Sequence, residues 1–134
     1  MGAEDNIKTI QSVYEAFGRG DVGTILEAVS DDVDWASDTS STVAPWYGEH
    51  KGKAGVGAFF QEFGGAMEVQ EFTPFAFAAN DSEVHTVVRF RATSRATGKS
   101  AAMNLHHYFV FEGALISYYR GTEDTAITEA ALRS

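Results

Sequence analysis

The sequence predicts one α+β domain in which helices pack against one face of a curved sheet. Helical periodicity dominates the first part of the chain, and long alternating segments separated by hairpin turns fill the second half. A length of 134 residues, with 44% hydrophobic and 22% charged residues, suits a single ordinary core. We therefore treat residues 1–134 as one domain and expect residues from about 123 to 134 to be a loosely attached tail.

The spacing of apolar residues predicts two short helices at the start of the chain. Along the first helix, apolar residues recur every three or four positions, at Ile7, Ile10, Val13, Tyr14 and Phe17. Gly18 supplies a stop, and Asp21 is suited to cap the second helix. The buried stripe of that second helix consists of Val22, Ile25, Leu26 and Val29.

A half-buried strand and a polar loop follow. Val33 and Trp35 alternate with Asp34, which is the period of a strand with one buried face. Residues 37–47 are rich in serine and threonine and end with Trp46 and Tyr47. Two interpretations stay open: the loop covers a cavity, or the two aromatic rings only fix it to the body of the domain.

A third helix and four strands complete the predicted order. The helix carries apolar residues at Val56, Phe59, Phe60 and Phe63 and ends at Gly64-Gly65. The strands are predicted at about 68–78, 83–95, 99–111 and 114–122. Ala96-Thr97-Gly98-Lys99 and Glu112-Gly113 are the turns between the last three strands. Three helices thus precede an antiparallel meander, with one strand inserted between the second and third helices.

Charge and composition exclude several classes of partner. Ten Lys and Arg residues against 19 Asp and Glu residues give a net charge of -9, which repels nucleic acid and anionic lipid. The absence of cysteine excludes disulfides and thiolate sites. We find no secretory signal and no apolar run of membrane-spanning length, so we expect a cytoplasmic protein that binds neither nucleic acid nor membranes.

Several short strings occur together in an informative order. They are Gly20-Asp21-Val22, Ser30-Asp31-Asp32-Val33-Asp34-Trp35, Tyr47-Gly48 followed by Gly52-Lys53, Phe59-Phe60, and His107-Tyr108-Phe109-Val110-Phe111-Glu112-Gly113. With these strings the chain resembles the SnoaL-like branch of the nuclear transport factor two-like superfamily, which includes polyketide cyclases and ketosteroid isomerases. The resemblance implies a cystatin-like cone, in which a strongly curved mixed or antiparallel sheet wraps around a long N-terminal helix, with three helices in all. It also implies a pocket for a small hydrophobic molecule and a homodimer.

The acids that the resemblance would place in this pocket are missing. The base of ketosteroid isomerases falls on Ser37, and the acid of polyketide cyclases falls on Gly121. Asp38 is one residue away from the first position. It can substitute only if the strand has ended or bulged there, because a one-residue offset turns a strand side chain to the opposite face.

His107 is the strongest candidate for chemistry. It shares a strand face with Leu105 and Phe109, so burial should keep its imidazole neutral and suited to act as a base or a hydrogen-bond partner. The alternative is a core histidine satisfied by a backbone carbonyl or by Tyr14. We name His107, Tyr14 and Asp38 as candidate catalytic residues. We expect no metal site, because His106 points away from His107.

Two functions are consistent with these residues. The first is an isomerase, cyclase or dehydratase that acts on a hydrophobic carbonyl compound without a cofactor, with His107 as acid or base. The second is a binding module without catalysis, favoured by the missing acids at Ser37 and Gly121. A structural subunit with a filled cone is a third alternative. We expect the ligand to contact Trp35, Trp46, Tyr47, Phe60, Phe63, Leu105, Phe109 and Tyr119.

Overall fold

The computed structural model of the chain describes residues 2–134. The elements are α1 (Ala3–Gly18), α2 (Val22–Glu27), β1 (Val29–Ser37), β2 (Glu49–Lys51), α3 (Gly52–Ala66), β3 (Met67–Ala79), β4 (Glu83–Ser94), β5 (Ser100–Glu112), β6 (Leu115–Thr122) and α4 (Thr125–Leu132). Within residues 2–134, no helix combines the length and the apolar character needed to cross a bilayer.

The six strands form one open, curved sheet in the order β2-β1-β6-β5-β4-β3. Strands β1 and β6 are parallel, and every other neighbouring pair is antiparallel. The predicted α+β class and mixed sheet are confirmed. The four long strands lie close to their predicted bounds because each has a clear alternation of buried and exposed residues.

The helices at the start of the chain begin and end where local chemistry requires. Helix α1 ends at Gly18, and the Asp21 carboxylate caps α2 by accepting a hydrogen bond from the Thr24 backbone N–H at 3.1 Å. The buried stripe of α1, including Ile10 and Val13, joins the core that covers one face of the sheet. That face, which we call the inner face, therefore carries the interior of the domain.

Two elements were not predicted. Strand β2 has only three residues, which is too short to show a period, and it pairs with β1 through Trp35 and His50. The segment expected to be a loose tail instead contains α4. Its first turn is capped by the Asp124 carboxylate, which accepts from the Ile127 N–H at 3.3 Å.

Helix α4 is attached to the domain on its buried side. Thr128 and Ala131 are each 2% exposed. The Thr97 hydroxyl, in the turn between β4 and β5, donates to the Ala131 carbonyl at 2.5 Å. The expectation of a loosely attached end was wrong because the apolar residues of this short helix do not mark its docked face: Ala126, Ile127 and Ala130 are exposed, whereas Thr128 is buried. The helix is held in part by polar groups distant in sequence.

Candidate functional site

A row of four inner-face residues runs across the sheet, one from each of four neighbouring strands. Ser37 of β1 pairs with Gly121 of β6, Gly121 pairs with His107 of β5, and His107 pairs with Thr86 of β4. Laterally paired residues share a face of a sheet, so these four positions form one line on the interior side. Ser37 and Gly121, the two positions at which the resemblance implies an acid, thus lie in the same line as His107.

Hydrogen bonds connect this row to α1. The Tyr14 hydroxyl is 2.7 Å from His107 Nδ1 and 2.6 Å from the Thr86 hydroxyl oxygen. One ring nitrogen of His107 is therefore committed to Tyr14. The other, Nε2, has no hydrogen-bond partner in the described part of the chain.

The environment of His107 favours the neutral imidazole. Burial is the main cause that lowers the pKa of His107 from 6.5 to about 3, and the nearby charge of His106 is a smaller cause. Aromatic rings surround the imidazole, with the Phe109 and Tyr119 ring centres at 6.0 and 5.4 Å. A neutral histidine can donate or accept a proton at Nε2 according to its tautomer.

A cavity of about 90 Å³ lies between α1, α3 and the inner face of the sheet. It exceeds the space that one water molecule needs, and it is smaller than the roughly 300–1,000 Å³ of sites for drug-sized ligands. Most of its wall is aromatic or aliphatic. Its lining includes His107 and Tyr14 together with Trp35, Trp46, Phe60, Phe63, Leu105, Phe109 and Tyr119.

The side of the cavity next to Gly121 is occupied by the Tyr119 hydroxyl. A Cβ atom added at Gly121 would overlap the Tyr119 hydroxyl oxygen and would lie 3.0 Å from Tyr119 Cζ and 3.5 Å from His107 Cδ2. Burial raises the pKa of Tyr119 well above its usual value, so this hydroxyl keeps its proton. A phenol therefore occupies the space beside Gly121, the position at which the resemblance to polyketide cyclases implies an acid.

A carboxylate that the sequence analysis missed also lines the cavity. Glu123 follows the end of β6, and its Oε2 accepts a hydrogen bond from the Tyr47 hydroxyl at 3.0 Å and another from the Thr128 hydroxyl. The signal was present, because Tyr119, Gly121 and Glu123 continue the period-two pattern of β6. The sequence does not predict Glu123 as a site residue, because residues from about 123 onward are expected there to form a tail.

Two predicted site residues lie elsewhere. Asp38 is exposed and does not line the cavity; it borders a groove on the opposite face of the sheet, near His85 and His106. Strand β1 ends at Ser37 with that side chain directed inward, so the next residue leaves the row. Tyr47 is buried but does not line the cavity; it supports two lining residues, through its hydrogen bond to Glu123 and through its ring contact with Trp46 at 5.6 Å between ring centres.

The donor set of the site is poor in metal ligands. Across residues 2–134, the structure brings together no group of three or more His, Asp or Glu side chains able to hold a metal ion.

Comparison with known proteins adds a family and a fold. The sequence profile of the SnoaL-like domain matches residues 10–119. No curated protein matches the chain.

Among solved structures, an NTF2-like protein from Burkholderia pseudomallei is 24% identical, with a TM-score of 0.89 over 97% of this chain and 98% of that one. An NTF2-like protein from Burkholderia xenovorans is 21% identical, with a TM-score of 0.88 over 99% of each chain. TerC, crystallised with polyporic acid, is 22% identical, with a TM-score of 0.84 over 97% of this chain and 99% of that chain.

Proposed function

Because the chain belongs to the SnoaL-like domain family, we propose that its cavity binds a small hydrophobic carbonyl compound and catalyses a proton transfer on it without a cofactor. Isomerisation, cyclisation and dehydration are the reaction classes that such a transfer serves. The observation that carries the proposal is a neutral His107 beside an aromatic cavity, with Nδ1 fixed and Nε2 unpartnered.

The surroundings of His107 suit it to polarise a carbonyl group. If Tyr14 donates to Nδ1, then Nε2 carries the ring proton and donates it as a hydrogen bond to the ligand. A neutral imidazole can stabilise a developing oxyanion by donating this hydrogen bond. The protonated Tyr119 hydroxyl supplies a second donor on the same side of the cavity.

We assign Tyr14 a positioning role in place of the catalytic role predicted from the sequence. Its hydroxyl is already bonded to Thr86 and His107, so it orients the imidazole and fixes its tautomer. It is a positioning residue, and the ligand contacts only its ring.

Similarity to a ligand-bound protein gives the proposal further support. TerC shares this fold and has been crystallised with polyporic acid. The cavity of the present chain, at about 90 Å³, favours a ligand of about one ring unless the loop of residues 38–48 and α4 move apart.

The test combines binding with exchange. We expect small ketones such as cyclohexanone, acetophenone and 2-indanone to raise the midpoint temperature of thermal unfolding. A ketone at 100 times its dissociation constant adds about 2.7 kcal/mol to the free energy of unfolding. Exchange of their α-hydrogens in deuterium oxide, followed by proton NMR, reports proton transfer directly. His107→Gln should abolish the exchange, and the matched variant His85→Gln, on the outer face, should not.

A non-catalytic binding module is the second candidate. It is favoured by the absence of a carboxylate at both family positions, Ser37 and Gly121. Binding of the ketones without α-exchange, equal in wild type and His107→Gln, would select this function. A panel without any binding would reject both.

The homodimer and the cytoplasmic location stay predictions. A groove on the outer face of the sheet, lined in part by Tyr108, Tyr118 and Arg120, supports packing of a second copy there. Phe75 is 52% exposed, and the Arg89 guanidinium lies 5.7 Å from its ring centre. Sedimentation equilibrium should give twice the mass of the chain, and Phe75→Glu should weaken that association.

A further inference from the structure

We propose that Glu123 is the base of the proposed reaction and replaces the acid that is absent from Gly121. The inference rests on the proposed function and assigns it a second catalytic group. Glu123 would remove a proton from the carbon next to the ligand's carbonyl, while His107 Nε2 and Tyr119 hold the carbonyl oxygen.

The position of Glu123 on the cavity wall supports this role. Glu123 lines the cavity together with His107, Gly121 and Tyr119, and it lies two residues beyond Gly121 in the period of β6. Two residues is one strand period, so the side chain emerges on the same side as an acid at 121 would. The Tyr119 hydroxyl fills the space at 121 itself, which leaves position 123 as the place on this strand end for a carboxylate.

The hydrogen bonds of the Glu123 carboxylate also support it. Its Oε2 accepts from two hydroxyls, those of Tyr47 and Thr128, whereas Oε1 has no hydrogen-bond partner in the described residues. Burial and the charge of Glu123 raise the pKa of Tyr47, so that hydroxyl stays a donor. One oxygen is thus held in place, and the other is free to accept a proton.

His107 and Glu123 are suited to different parts of the reaction. An imidazole that stays neutral and is fixed at Nδ1 is better suited to donate to an oxygen than to take a proton from carbon. A carboxylate oxygen accepts protons and hydrogen bonds and has the complementary capacity. His107 on β5 and Tyr119 on β6 would donate hydrogen bonds to the ligand's oxygen, and Glu123 after β6 would remove its proton. The three groups would enclose one small ligand.

The step balances without any other reactant. Glu123 takes the α-proton, the C–H electron pair forms the carbon–carbon double bond of an enolate, and the carbonyl π-electrons move to the oxygen. The enolate oxygen is held by His107 and Tyr119. If a carbon–carbon double bond of the ligand is conjugated with the enolate, Glu123 returns the proton to the far carbon and the double bond moves, which is isomerisation. If the enolate carbon attacks a second carbonyl carbon of the ligand, a carbon–carbon bond forms, the π-electrons of that carbonyl move to its oxygen, and this oxygen takes the proton from Glu123, which is cyclisation.

The test uses cyclohexanone in deuterium oxide with the chain of residues 1–134, following α-exchange by proton NMR and binding by ligand line broadening. We expect Glu123→Gln to bind the ketone and to lower the exchange rate by about 10²- to 10⁴-fold. Glu123→Asp should recover part of the rate. The matched control is Glu129→Gln, because Glu129 lies on α4, outside the cavity lining, and accepts from the Ser41 hydroxyl at 2.8 Å.

The outcomes separate this inference from the proposed function. Exchange that persists in Glu123→Gln but is lost in His107→Gln overturns the role of Glu123 and leaves the proposed function intact. Equal losses in Glu123→Gln and Glu129→Gln show that only the attachment of α4 was disturbed, which also overturns it. Binding without exchange in the wild type rejects the base, and absence of ketone binding rejects both proposals.

Discussion

The partly buried imidazole of His107 should make the stability of the protein depend on pH. Burial lowers the pKa of His107 from 6.5 to about 3, so below pH 6.5 the unfolded chain binds a proton that the folded chain excludes. Above pH 6.5 this unequal proton binding costs the folded state almost nothing. As the pH falls from 6.5 toward 3, the free energy of unfolding decreases progressively. Between pH 7 and pH 4.5 the loss in free energy of unfolding is about 2.5 kcal/mol.

Urea denaturation of wild type and His107→Gln at both pH values isolates this contribution. Glutamine has no titrating group and keeps a hydrogen bond to Tyr14 within reach, so the variant should lose about 2.5 kcal/mol less stability on acidification. His85→Gln, at an exposed position on the outer face, should behave like the wild type. The same acid sensitivity in wild type and His107→Gln, or a ring resonance that titrates near pH 6.5, would refute the reasoning.

Three further perturbations probe the surroundings of the site. Gly121→Asp should cost about 1–3 kcal/mol in urea denaturation because its Cβ overlaps the Tyr119 hydroxyl, and less in a Tyr119→Ala background; a fully stable Gly121→Asp protein would contradict this. Tyr14→Phe should cost about 1–3 kcal/mol by leaving two buried partners unpaired, and unchanged thermal unfolding would argue against the hydrogen-bonded chain. Asp124→Ala removes the cap of α4 and should cost about 1 kcal/mol, with faster amide exchange in α4 as the local readout; protection equal to the wild type would count against it.

Much of the fold was predictable because its long elements carry their own periodicity. The alternation around His107 was enough to place that side chain on the inner face, and Asp21 gave the start of α2. Strand β2 could not be predicted, since three residues show no period and its pairing with β1 depends on contacts distant in sequence. Helix α4 was missed for a related reason, as much of its attachment comes from Thr97 and Ser41.

The site was harder to predict than the fold because its chemistry is assembled across strands. The row on the inner face comes from four separate strands, and its members become neighbours only through the register of those strands. They are Ser37, Thr86, His107 and Gly121. Position-by-position comparison with a family showed which acids were missing. It did not show that Glu123, two residues further on, lines the same cavity, because that depends on how the end of the chain packs.

The docking of α4 also has a consequence for local unfolding. Glu123 and Thr128 close one side of an interior lined by rings such as Trp35 and Phe63. Detachment of α4 would expose that interior to water without separating any of the six strands. Such a local opening costs less free energy than global unfolding, so solvent and small molecules would reach the cavity from this side first.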